Sequence, residues 1–151
     1  MHNKEHDIDT LNGLITVTID SVDGYREAAK DASNETFRTL FKDRANERDD
    51  VVDSLQAEVR ALGGEANDDG SALAGAHRMF VNLREALTGG DDKAIIAEVE
   101  RGEDHIKAKY EAALADTDIS SDASATIRQC YQSVKEGHDQ MRDLKHGVAA
   151  I

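Results

Sequence analysis

Residues 95–114, IIAEVERGEDHIKAKYEAAL, decide how the chain is read. At ~100° per residue, Ile96, Val99, Ile106, Tyr110, Ala113 and Leu114 fall on one stripe, the mark of a helix with one face against a core. Glu103 falls in the middle of that stripe. A carboxylate aimed into a core is costly unless it is paired, metal-bound or protonated. The helix is therefore expected to meet a specific partner through Glu103.

Working outward, the same periodicity recurs on both sides. A flexible stretch, residues 1–8, precedes a single domain expected over 9–147. Its first helix spans about residues 9–32, with a stripe of Leu11, Ile15, Thr18, Val22, Tyr25 and Ala29. No acid lies on that stripe, and Asp20, Asp23 and Glu27 are expected in water. A second helix, about 35–62, carries Phe37, Phe41, Val51, Val52, Leu55 and Val59, with Arg48 at the centre of the face and Arg44 close by. Asn34 or Ser33 suits its start and Gly63-Gly64 its end. A polar loop and a shorter helix at 72–87 follow, then the helix of the opening stretch at 91–115. The last helix, about 122–146, shows Ile127, Tyr131, Val134, His138, Met141 and Lys145 on one face.

Composition narrows the class. The 151 residues contain no proline, and glycines gather at segment ends, which reads as all-α. With 18 basic against 31 acidic residues the net charge is −13, which disfavours nucleic acid or an anionic membrane as a partner. No apolar run approaches the ~20 residues that span a bilayer. The first residues, MHNKEHDIDT, have no apolar core of a secretory signal. A single cysteine, Cys130, excludes an internal disulfide and fits a reducing, cytoplasmic setting.

Two long antiparallel hairpins joined by a crossover bearing a short fifth helix give the connectivity of a ferritin-like four-helix bundle. Particular segments carry a resemblance as well: GYREAAKDA at 24–32, EVRALGGEANDDGS at 58–71, HR at 77–78, LTGGDDKAIIAEVERGEDHIKAKYEAAL at 87–114 and HDQMRDL at 138–144. Over roughly residues 9–146 the chain resembles a bacterial family of uncharacterised ferritin-like proteins, known mainly as a domain of unknown function. The resemblance implies the fold, a bacterial and soluble setting, an association with stress and a homodimer. It implies no settled activity.

A di-iron centre in such a bundle needs Glu-x-x-His on two of its helices. No glutamate here has histidine three residues later. Glu47 with Asp50, and Glu136 with Asp139, imitate the spacing, but Asp50 and Glu136 are phased outward. The inward polar set is Arg48, Glu103 and His138, with Arg44, Glu100, Tyr25 and Tyr110 near in phase. The expected arrangement is a buried Arg-Glu-His cluster that fixes helix register and holds no cofactor. The alternative is a degenerate site in which Glu100, Glu103 and His138 bind one divalent ion, Fe, Mn or Zn. His77 and Arg78 on the crossover offer a possible anion contact. His105 is expected in water, and His2 and His6 in the flexible terminus. Cys130 has no activating base in phase and reads as a packed thiol. These features leave two function classes: a non-catalytic bundle, more expected than an enzyme, and a metal-handling one.

Overall fold

The computed structural model describes residues 3–69 and 92–149. Over them the chain forms four helices: α1 (Lys4–Asp31), α2 (Glu35–Ala61), α3 (Asp92–Ala115) and α4 (Ser121–Ala149). They build an all-α four-helix bundle. The short helix expected at 72–87 lies outside the described residues.

Local chemistry sets each boundary. Asn3 caps α1 by accepting from the Glu5 amide at 2.9 Å, and Asn34 caps α2 by accepting from the Thr36 amide at 2.8 Å. Gly63 closes α2 with φ 83, a left-handed value that favours glycine, and the Gly64 amide donates back to Val59 O at 3.0 Å. Asp116 accepts from the Asp118 amide at 2.8 Å to make the tight turn before α4. Asp92 does more than begin α3. Its two carboxylate oxygens accept from the Ser33 and Asn34 amides, at 2.8 and 2.9 Å, and so cross-link the α1–α2 turn to the second hairpin.

These contacts define the topology. α1 packs chiefly on α2, and α3 on α4; α1 also meets α3, and α2 meets α4. His6 near the start of α1 binds Asp116 just past the end of α3 at 2.7 Å, whereas the α1–α2 turn binds the start of α3. Thus α1 and α3 are antiparallel, α2 and α3 run the same way, and one long connection carries the chain from the end of α2 to the opposite end of the bundle. α2 and α3 stand diagonally. Leu11, Ile15, Leu55, Val99, Ile127 and Val134 fill the space between them without solvent exposure. No helix among the described residues is long and apolar enough to cross a membrane.

The N-terminal segment departs from expectation. α1 starts at Lys4, well before residue 9, because Asn3 supplies the cap and Asp7 is held. Asp7 Oδ1 accepts from the Ser120 amide at 3.0 Å, which ties the first turn to the α3–α4 loop. His6 is part of this helix and is not a loose terminus. Asp7 and Asp20 are also both buried, so α1 does present acids away from water. A helix with two neighbours buries a wider arc than one apolar stripe marks. Asp23 and Glu27 are exposed as expected.

Candidate functional site

Arg48 reaches from α2 toward the bundle axis and meets Glu103 of α3 end-on. Arg48 Nη1 donates to Glu103 Oε1 at 2.8 Å, and Nη2 donates to Oε2 at 2.6 Å. Both side chains are fully shielded from solvent. The planar fork of the guanidinium matches the carboxylate, which is why arginine rather than lysine suits this position.

α1 completes the shell. The Tyr25 hydroxyl donates to Glu103 Oε1 at 2.7 Å, and Ser21 Oγ accepts from Arg48 Nη1 at 2.7 Å. Residues 21 and 25 are one turn apart, so one helix face serves both members of the pair. The Arg48 guanidinium carbon also lies 5.6 Å from the Tyr25 ring centroid, a cation–π contact. Glu103 therefore receives three hydrogen bonds. The Nε atom of Arg48 is buried without a partner.

Burial is the largest influence on Arg48 and works against its charge, but the attraction and hydrogen bonding of Glu103, together with Tyr25 and Tyr110, outweigh it and leave the guanidinium pKa raised. Burial, with Glu103 next to it, pushes the Tyr25 phenol well above its ordinary range, so it stays protonated and donates. The centre is a fully buried ion pair.

Gly137 of α4 makes room for it. A Cβ at this position would stand 2.4 Å from Arg48 Nη2 and 3.2 Å from Glu103 Oε2. Only a residue without a side chain lets α4 close over the pair. Periodicity overlooked Gly137 because glycine carries no hydropathy signal, although a glycine inside a helix is a cue for close approach.

His138, expected in this cluster, lies outside it. The buried face of α4 is turned toward Gly137 and Cys130, which places His138 on its rim, while Tyr131 is half-buried and Lys145 exposed. His138 Nε2 lies 2.6 Å from Asp104 Oδ1, and its Nδ1 lies 3.1 Å from Asp139 Oδ1. Glu100 joins that rim group and accepts from Lys145 Nζ at 3.4 Å. The trio Glu100, Glu103 and His138 is thus split: Glu103 is engaged by Arg48, and Asp104 takes its place beside Glu100 and His138.

The other expected members sit nearby. Arg44 is buried beside Gly137, donates to Glu47 Oε2 at 2.7 Å and binds Gln140. Tyr110 bonds to Thr18 at 2.8 Å, one turn along α1 from Ser21, and does not hydrogen-bond to the pair. Thr18 directs its own proton to Leu14 O at 2.6 Å, so the Tyr110 hydroxyl is the donor. Asp50 and Glu136 are exposed, and Glu47 sits at the face edge with one oxygen toward Ser133. His105 is half-buried on α3, not solvated as expected. Burial pushes the Cys130 thiol up to about 11, which makes it an inert packed side chain. His77 and Arg78 lie outside the described residues.

Glu98, unremarked in the sequence, is buried and held by Arg101, whose Nε and Nη2 donate to its Oε1 at 2.9 and 2.7 Å. A local pair three residues apart explains how that acid tolerates burial. Comparison with curated proteins finds no match. Over residues 6–116 the sequence matches the family model described as Domain of unknown function (DUF2383), and the chain belongs to that family.

Proposed function

We propose that the chain is a non-catalytic ferritin-like bundle in which the Arg48–Glu103 pair stands where related bundles hold a di-iron centre. The observation that supports this reading is the fully buried guanidinium on the axis, locked on both oxygens of Glu103. A fixed cation there repels metal ions, and three hydrogen bonds already engage both oxygens of the carboxylate that faces it. The chain also lacks Glu-x-x-His on any helix, the repeated unit from which such centres are built.

In this reading the polar core specifies how the four helices align, and the protein acts through its surface, on a protein partner or a second copy of itself. The single long connection between α2 and α3 supports the ferritin-like topology, and the resemblance to bacterial ferritin-like proteins is what suggests a stress-associated role in the cytoplasm. The test is Fe(II) oxidation by untagged protein under air, followed optically. The expected rate is that of protein-free buffer. Sustained oxidation over many equivalents of iron per chain would overturn the proposal.

A further inference from the structure

We propose that Glu100, Asp104 and His138 form a site for one divalent transition-metal ion of the Zn2+ class, clamping α3 to α4. One ligand atom from each of the three lies within 4.8 Å of the others. Glu100 and Asp104 are one turn apart on α3, so their carboxylates project from the same face, and His138 reaches them from the antiparallel neighbour. An ion held at ~2.1 Å from each needs ligand atoms ~3.4 Å apart, which small rotamer adjustments reach from the observed spacing.

The histidine is set for this role by a second feature. Asp139 stands 3.1 Å from His138 Nδ1, on the side of the ring away from Asp104 and Glu100. A carboxylate that accepts from Nδ1 orients the ring so that Nε2 ligates once an ion replaces its hydrogen bond to Asp104. Nε2 faces the two α3 carboxylates, with Asp104 Oδ1 at 2.6 Å. The His138 and Glu100 side chains are 12% and 14% exposed, so the site is partly shielded, whereas Asp104 at 58% leaves its mouth open.

The donor set selects the ion. One imidazole with two carboxylates suits Zn2+, Co2+ or Fe2+, whereas Mg2+ and Ca2+ prefer all-oxygen shells of six or more ligands. Three protein ligands leave room for solvent on the metal. A cation already borders the site: the Lys145 ammonium lies 3.4 Å from Glu100 Oε2, on a side chain exposed enough to swing away. The net charge of −13 draws cations generally, and the histidine turns that attraction into selection.

This inference goes beyond the non-catalytic reading, and either can fail alone, because one is tested by iron oxidation and the other by Zn2+ and Co2+ binding. Untagged protein carrying His2→Ala and His6→Ala, to silence the N-terminal histidines, is titrated with Zn2+ by calorimetry and with Co2+ by visible absorption. The expected result is saturable 1:1 binding with a Co2+ ligand-field band, and a melting temperature raised by Zn2+. Asp104→Asn, at an exposed position, and His138→Ala should each weaken Zn2+ by tenfold or more and abolish the band. Asp139→Asn should weaken it about tenfold through the ring orientation, and Lys145→Met should strengthen it. Absence of 1:1 binding up to ~1 mM Zn2+, or unchanged affinity in Asp104→Asn and His138→Ala, would overturn the proposal.

Discussion

Arg48 of α2 and Glu103 of α3 face each other across the diagonal of the bundle, joined by parallel hydrogen bonds of 2.8 and 2.6 Å. Because diagonal helices pack little on each other directly, this contact ties together two helices that their apolar faces alone leave apart.

Removing one partner should be far worse than removing both. Glu103→Ala strands a buried guanidinium and should destabilise by about 3–5 kcal/mol. Arg48→Met added to it should recover part of the loss, since apolar residues often replace buried pairs well. Urea melts of the double-mutant cycle measure the coupling, and additive single effects would refute it. Glu136→Ala, in water, should stay within about 0.5 kcal/mol of the parent.

Gly137→Ala should destabilise. On an ordinary helix the change to alanine stabilises by up to about 1 kcal/mol, so the sign itself is informative. Here the new methyl would sit 2.4 Å from Arg48 Nη2, a group pinned by Glu103 and unable to retreat without breaking the pair. Overpacking of this kind costs about 1–3 kcal/mol. The loss should shrink in the Arg48→Met background, again read by denaturant melts.

How much of this could be read from residues alone depends on what periodicity sees. The four helices, their order, and the inward phase of Arg48, Glu103 and Tyr25 were legible, because each lies among large apolar residues that mark the same face. His138 was misplaced because Tyr131 and Lys145, amphipathic and partly outward, rotated the apparent face of α4 away from Gly137 and Cys130. The burial of Asp7 was not legible for another reason: its partner is the Ser120 backbone amide, which has no sequence signature. The pairing of Asp104 with His138 depends on how far α4 is rotated against α3, and that angle is a tertiary quantity.

The link between His6 and Asp116 should respond to pH in two directions. The hydrogen bond to Asp116 raises the His6 pKa, so its stabilising contribution is fully present below the unfolded value of about 6.5 and is lost as pH climbs through the folded value. The Asp116 pKa is lowered, by the Asp118 amide and then by His6, so its contribution is lost as pH falls through the folded value below about 3.9. Proton NMR titration should place the His6 midpoint above 6.5, and Asp116→Asn should bring it back toward the ordinary value. An unshifted midpoint in the parent protein would refute the link.

Cys130 should resist alkylation in the native protein. Its thiol is buried and pushed up to about 11, so little thiolate exists at pH 8. Iodoacetamide labelling followed by mass spectrometry should show slow modification in buffer and rapid modification in 6 M guanidinium. Equal rates would mean the helix opens there readily.

The diagonal placement of Arg48 and Glu103 has a kinetic consequence. Each α-hairpin carries one member, 55 positions apart along the chain, so neither charge finds its partner until the hairpins have docked. An interaction completed that late is absent from the barrier-top ensemble, and its removal quickens unfolding while folding proceeds at nearly its parental pace. In stopped-flow chevrons, Glu103→Ala should therefore lift the unfolding arm and leave the refolding arm almost in place. The pair acts as a bolt shot after the door has closed, governing how long the native state lasts more than how soon it is reached.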